Sequence, residues 1–150
     1  MSNSSSKASL FLMELIMSIL FFSLSAAVCV QLFVRSHTLS RDSLQLNYAV
    51  IASESMAETF YAADGDLAAL KATLPDSYYN EARHTVNIYY DSSFRPININ
   101  DFTYTGRYIL SGTLSEDGDL KILTITYTDK KANKEIYSIA PALYPKGGAE

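Results

Sequence analysis

The chain has 150 residues, of which 48% are hydrophobic, and its formal net charge is -4 at neutral pH. This length allows one membrane helix and one small domain, and the absence of a basic stripe argues against a nucleic-acid-binding surface. Cys29 is the only cysteine, so an intrachain disulfide and a cysteine-based metal cluster are both excluded.

Near the start of the chain, residues 10–34 form an apolar run with a single charged side chain, Glu14. From residue 15 to residue 34 no charge occurs, and about 20 apolar residues in a helix cross the roughly 30 Å hydrocarbon core of a bilayer. The run therefore predicts a transmembrane helix over residues 10–34.

The run also resembles two other kinds of N-terminal segment. A cleaved secretory signal has an apolar region of only about 7–15 residues, which is shorter than the run seen here. The residues before Cys29 are similar to a bacterial lipidation site, but the branched Val28 stands where that site has a small residue. A membrane helix that stays on the protein fits the run better than either alternative.

Glu14 is the candidate functional residue of this helix. A charged side chain at the centre of a membrane helix costs about 2.5–3.5 kcal/mol on insertion scales, so such a residue is expected to be functional and to have a partner. An ionised carboxylate at low dielectric is tolerated only when it is paired with a cation, and otherwise it is protonated. The alternative is that Glu14 lies at headgroup level near the membrane edge.

After the apolar run, polar residues arrive while apolar ones recur at helical spacing over residues 35–63. The recurring apolar positions are Leu39, Leu46, Val50, Ala57, Phe60 and Tyr61. No proline or glycine precedes the sequence Asp64-Gly65-Asp66, so we predict one helix from about residue 9 to residue 63 whose second half is amphipathic.

Residues 64–144 predict a small α+β domain. Asp66 is placed to cap a second helix over 67–73, which Pro75 ends. Period-two alternation then predicts about four antiparallel strands, over 84–91, 105–115, 120–128 and 134–140, with a tight turn at 116–119. The apolar face of this sheet is expected to pack on the amphipathic half of the long helix, while the polar start and the tail at 145–150 are expected to be disordered.

Four features together resemble the type IV pilin and pseudopilin superfamily. They are the polar leader over residues 1–9, the apolar helix with an early glutamate, the polar helical continuation and the sheet. The specific motif covers residues 7–34, where residues 7–9 are similar to the end of a leader and residues 10–14 to a processed N-terminus. The resemblance implies cleavage between Ser9 and Leu10 by a prepilin peptidase, N-methylation of the new terminus, and an assembly role for Glu14. Ser9 and Leu10 stand where the family prefers glycine and phenylalanine.

The same resemblance implies a non-enzymatic subunit of a pilus, a pseudopilus or a related secretion or DNA-uptake apparatus, with no cofactor. Its partners would be the membrane and other pilin-like subunits, and the new amine of Leu10 on one subunit would meet Glu14 of a neighbour. The N-terminus would be cytoplasmic and the sheet domain extracytoplasmic, an orientation that the flanking charges leave open. The alternative is a single-pass membrane protein whose outer domain binds a ligand or a partner protein.

Sequence motifs give an enzymatic role no support. His37 and His84 are the candidate bases, but the chain has no nucleophile elbow, phosphate loop or zinc-protease helix, and two histidines give zinc too few ligands. The acidic turn at 116–119 lacks the spacing of a calcium loop. Tyrosines of the distal domain suit half-buried strands or a contact surface, and they are Tyr78, Tyr79, Tyr89, Tyr90, Tyr104, Tyr108, Tyr127, Tyr137 and Tyr144.

Overall fold

The computed structural model describes residues 3–98 and 106–144, with side chains from Lys7 onward. The chain divides into two compact units, Met1–Ser43 and Leu44–Glu150. The first helix, α1 (Asn3–Ala62), contributes residues to both units. Tyr104 lies outside the described residues. The same is true of Thr105, which begins the strand expected over 105–115, and of the tail at 145–150.

Within the N-terminal unit, the described chain is helical from Asn3 onward. The helix was expected to begin near residue 9, after a disordered polar start. This was wrong for residues 3–8, which are helical. The helix extends into the polar segment because no proline or glycine interrupts it there. Every side chain described in this unit, over residues 7–43, is exposed within it.

The end of α1 lies in the second unit, where the chain enters left-handed backbone. Asp64 has φ 52° and Gly65 has φ 77°. The Gly65 amide donates to the Phe60 carbonyl at 3.1 Å and the Asp64 amide to the Tyr61 carbonyl at 3.2 Å. This is the Schellman arrangement that satisfies the last carbonyls of a helix, and it confirms the predicted stop.

Immediately afterwards the chain forms the short helix α2 (Leu67–Thr73) with the predicted bounds. Asp66 is its N-cap, and its side chain accepts a hydrogen bond from the Ala68 amide at 2.8 Å. Leu67 and Leu70 are buried, so the capped turn fixes two leucines in the core of the domain.

The rest of the domain is one antiparallel sheet in which β1, β2, β4, β5 and β6 are neighbours in that order, with β3 pairing β2 and β7 pairing β5. A 3₁₀ turn, Glu81–Arg83, joins β1 to β2. The strands are β1 (Ser77–Asn80), β2 (Thr85–Tyr90), β3 (Pro96–Ile97), β4 (Tyr108–Asp117), β5 (Leu120–Asp129), β6 (Lys134–Ile139) and β7 (Ala142–Leu143).

The α+β class and the helix packed on an antiparallel sheet are therefore confirmed. The four predicted strands correspond to β2, β4, β5 and β6, and the predicted turn joins β4 to β5 through Gly118 and Asp119. The sequence missed β1, β3 and β7 because strands of two to four residues are too short to display a period-two pattern.

A stripe of small and large side chains on α1 forms the helix side of the core. Ala57 and Phe60, which the sequence placed there, are buried. Leu46 and Tyr61 are 46% and 52% exposed, so their predicted place in the stripe was wrong. Leu39 is exposed in the N-terminal unit and Val50 is partly buried. The buried positions of α1 are Ala49, Ser53, Met56, Ala57 and Phe60.

On the sheet, Gly112 of β4 marks a close approach to the helix. A Cβ atom added there would lie 2.9 Å from the Met56 sulfur and 3.3 Å from Cδ1 of Leu123. Met56 is 1% exposed, so the missing side chain of Gly112 makes room for the one that α1 contributes.

We predict that Phe60→Ala lowers the unfolding free energy of the domain by about 3–5 kcal/mol, because Phe60 is fully buried and its loss leaves a cavity. Tyr61→Ala is the matched control, since it removes a neighbouring aromatic ring that is 52% exposed, and surface changes of this kind cost about 0.5 kcal/mol. Urea unfolding of the full chain in lipid nanodiscs measures both. Equal losses would contradict the assigned core face of α1.

Candidate functional site

The apolar run of α1 is the first candidate site, and its side chains point outward on all sides of the helix. Within the run, Leu15 is 46% exposed and Phe22 is 77% exposed. Among the described residues, one helix, Lys7–Ala62, is long and apolar enough by length and composition to cross a membrane. A helix that is apolar all round needs an apolar environment, which its own unit does not supply.

Two serines inside this run have their hydroxyl groups satisfied by the helix itself. The Ser18 hydroxyl donates to the Glu14 carbonyl and the Ser25 hydroxyl to the Phe21 carbonyl, each at 2.9 Å. Bonds of this type to the carbonyl four residues earlier allow serine to lie in an apolar environment. These hydroxyl groups therefore need no partner from another molecule.

The Glu14 carboxylate is different, because the described part of the chain provides no ion pair or hydrogen bond for it. The nearest described cation along the helix is Lys7, seven positions earlier. Seven residues correspond to about 10.5 Å of helix rise, which is beyond the reach of a direct ion pair. Within a membrane, this carboxylate would need either protonation or a cation from another molecule.

Glu14 shares one side of the helix with two serines and a phenylalanine. Positions four, seven and eleven residues apart lie on the same face of an α-helix, so Glu14, Ser18, Phe21 and Ser25 line one side. Small residues allow membrane helices to approach closely. The predicted cleavage residues Ser9 and Leu10 lie on the same helix, both exposed, and Leu10 is 65% exposed.

The histidines considered as bases lie in separate surroundings. His37 is exposed on the N-terminal part of α1, and His84 is exposed with φ 49° at the end of the 3₁₀ turn. No group of three or more His, Cys, Asp or Glu side chains that could hold a metal ion occurs within residues 3–98 and 106–144. Comparisons of the chain with protein-family models, curated proteins and solved structures found no match.

A second candidate site lies inside the sheet domain, where aromatic rings from distant parts of the chain meet. The rings of Tyr48 on α1 and Phe94 in the loop after β2 stack at 4.4 Å. Phe94 stacks in turn on Tyr108 of β4 at 4.9 Å, and Tyr108 on Tyr127 of β5 at 5.7 Å. Tyr90 of β2 lies 5.7 Å from the Tyr127 ring.

The loop that carries Phe94 is held by the Asp91 carboxylate and by backbone hydrogen bonds, from the Asp91 amide to the Arg95 carbonyl at 2.9 Å and from the Phe94 amide to the Asp91 carbonyl at 3.2 Å. The Asp91 side chain accepts hydrogen bonds from the Ser93 amide at 2.7 Å and from the Arg95 amide at 2.9 Å. Phe94 has φ 62°, an uncommon conformation for a bulky residue. The loop thereby directs Phe94 between the ring on α1 and the ring on β4.

Beside these rings is a pocket of about 250 Å³. One wall is α1, and the other is formed by the sheet and the loop that follows β2. The sequence did not predict this site, because its parts are far apart along the chain and alternate with ordinary strand residues. Its lining consists of Tyr48, Ile51, Ala52, Ser55, Leu74, Ile88, Tyr90, Phe94 and Tyr127.

Two tyrosines of the pocket have pKa values well above the ordinary value for tyrosine. Burial, and after it the negative charge of Asp76, raises the pKa of Tyr90 to about 12. Burial also raises the pKa of Tyr127 above its ordinary range, with further contributions from Tyr90, Tyr108 and Asp129. Both phenols are protonated at neutral pH, as an ordinary tyrosine is, and their raised pKa values extend this state to more alkaline pH.

We predict that the domain loses stability as the pH rises from about 10 to about 12. The pKa of Tyr90 is higher in the folded state than the ordinary value of 10.0, so its contribution is complete below pH 10 and is lost as the pH passes through the folded value. Tyrosinate absorbance during alkaline titration should show a late step that Tyr90→Phe reduces. Tyr144→Phe, which removes a hydroxyl from a side chain that is 71% exposed, should leave that step intact.

Proposed function

We propose that this protein is a membrane-anchored, non-enzymatic subunit of the pilin or pseudopilin type. It assembles through the N-terminal part of α1 into a pilus, a pseudopilus or a related secretion or DNA-uptake apparatus. The observation that carries the proposal is Glu14, a carboxylate without a described ion-pair partner in an otherwise apolar and exposed helical run.

The charge of Glu14 supports assembly over simple anchoring. An anchor needs only apolar length, and a carboxylate inside it costs insertion energy that a plain anchor avoids. A neighbouring subunit that brings a cation to Glu14 offsets this cost, and since the pair forms at only one axial offset it sets the register of the helices. In the proposed mature chain this cation is the amine of Leu10.

Further support comes from the face on which Glu14 lies. Ser18 and Ser25 are small side chains on either side of Phe21 on that face, and their hydroxyl groups are already bonded to the helix. A second helix can therefore come close without burying an unsatisfied hydroxyl at these two positions. Close approach brings a neighbour's cation within range of the Glu14 carboxylate.

The second candidate function is a single-pass membrane protein whose sheet domain binds a ligand or a partner protein. The pocket beside Tyr48 and Phe94 is the observation that favours it. In this alternative the apolar run serves only as an anchor. Function then depends neither on the Glu14 carboxylate nor on cleavage of the bond between Ser9 and Leu10.

We predict that Glu14→Gln leaves membrane insertion intact but lowers incorporation into a filament or complex by at least about a hundredfold. Removing one member of a buried ion pair costs about 3–5 kcal/mol, and the amide keeps the size of the side chain. Incorporation is measured by recovery of the variant in sheared filaments or cross-linked complexes from the host.

Glu54→Gln is the matched control, because Glu54 is an exposed glutamate on the same helix but in the second unit. It should assemble as the parent chain does. If Glu14→Gln also assembles normally, Glu14 is not the assembly carboxylate, and the anchored binding protein becomes the better account.

We also predict that the membrane-bound protein begins at Leu10 after processing by a prepilin peptidase. Intact mass and N-terminal sequencing of the protein from its host, or from cells supplied with a matching peptidase, measure the start and any added methyl group. A chain that still starts at Met1 favours the binding protein, and a start at or beyond Ala26 contradicts both functions in favour of a secreted or lipidated protein.

A further inference from the structure

The pocket of the sheet domain has the size of a single ring. Its volume is about 250 Å³, whereas an apolar cavity of about 150 Å³ already binds benzene. Pockets for drug-sized ligands start at about 300 Å³. One six-membered ring with one or two small substituents therefore matches the space between α1 and the sheet.

The walls of the pocket favour an aromatic ring over an aliphatic one. The Tyr48 and Phe94 rings stack on each other at 4.4 Å with an angle of 10° between their planes, and Phe94 also stacks on Tyr108. Both faces of Phe94 are therefore occupied, and its ring is left to offer an edge. Aromatic rings favour edge-to-face contacts beyond the area that they bury, so an added ring can meet the rings of the pocket in that geometry.

The polar groups of the pocket favour an uncharged ligand with one hydroxyl or similar group. Among the lining side chains that are not fully buried, Tyr48, Ser55 and Tyr90 carry hydroxyls, and none of the lining side chains carries a charge at neutral pH. A carboxylate or an ammonium group would lose hydration without gaining a counter-charge, which is costly. A neutral hydroxyl can exchange its water for a hydrogen bond at much lower cost.

The pocket is also open to exchange with solvent along α1. Ile51 is 55% exposed and Tyr48 is 43% exposed, whereas Tyr127 at the opposite wall is fully buried. A ligand entering beside Ile51 would bury these exposed apolar surfaces, and the removal of apolar surface from water favours binding.

From these features we propose that the sheet domain binds a small, uncharged, monocyclic aromatic compound of the phenol type in the pocket between α1, β2 and β5. The ring lies among Tyr48, Phe94 and Tyr90, and its polar substituent reaches the hydroxyl groups of the pocket. The inference concerns the sheet domain alone and is independent of the assembly role proposed for Glu14.

The test uses the full chain in lipid nanodiscs, with aromatic carbon–proton NMR spectra of labelled tyrosine and phenylalanine. Phenol is the probe, benzoate is the charged comparator, and empty nanodiscs correct for partitioning into lipid. Phenol is expected to cause saturable shifts of the Tyr90 and Phe94 signals, and benzoate is expected to bind at least about tenfold more weakly because its charge would be desolvated.

Two substitutions on exposed positions of α1 assign the binding to the pocket. Ser55→Phe places a ring in the space and should weaken phenol binding at least about tenfold. Glu54→Phe adds the same ring at an exposed neighbouring position that does not line the pocket, so it should bind phenol as the parent chain does. Thermal unfolding of each variant verifies that the domain remains folded.

A third substitution keeps the inference testable if Ser55→Phe fails to fold. Ile51→Ala widens the pocket at an exposed position and should improve the binding of 2-naphthol relative to phenol. The inference is overturned if a folded domain shows no saturable shift with phenol, if benzoate binds equally well, or if the affinity ratio does not respond to Ile51→Ala.

Discussion

The packing of the last turns of α1 on one face of the sheet is the contact on which the folded domain depends. A single antiparallel sheet leaves one apolar face open and is stable only when another element covers it. Here the cover is the buried side of α1, where Phe60 and Met56 lie and where Gly112 leaves space for the methionine. The Schellman turn at Asp64 then ends the helix, so that α2 can close the core with Leu67 and Leu70.

Asp129 in the sheet domain and Glu14 in the N-terminal unit are carboxylates with opposite surroundings. Asp129 is buried in the sheet domain, but Arg107 pairs with it at 3.4 Å, and the amides of Lys131 and Ala132 donate to it at 2.9 Å and 3.1 Å. A buried charge satisfied in this manner is compatible with a stable fold. Glu14 has no such partners in the described chain, so the energetic cost of its charge can be offset only by protonation or by another molecule. Asp129 thus shapes a turn, whereas the proposed function gives Glu14 a partner on a neighbouring subunit.

Local sequence patterns predicted the longer elements, but they predicted the buried face of α1 only in part. The apolar run, the stop at Asp64, the capped helix α2 and the four longer strands all follow from residue periodicity, caps and turns, which act within a few neighbouring positions. The buried stripe of α1 was only partly predicted, because Leu46 and Tyr61 have the hydrophobicity of core residues while Ala49 and Ser53 do not. Ala49 and Ser53 are nevertheless fully buried, because burial depends on how the helix packs in the domain, a condition that no local pattern records.

The two candidate sites also differ in whether the sequence alone revealed them. Glu14 was evident from the sequence alone, since a charge within an apolar run is anomalous whatever the chain does elsewhere. The ring cluster was not evident, because Tyr48, Phe94 and Tyr127 are contributed by α1, a loop and β5 and meet only when the helix packs on the sheet. The sequence by itself determined the membrane-length helix, its carboxylate and the α+β class, because these depend on composition and short-range periodicity. Only the tertiary structure decided which side of α1 is buried and where a pocket remains, because both depend on the distance and angle between elements far apart in the chain.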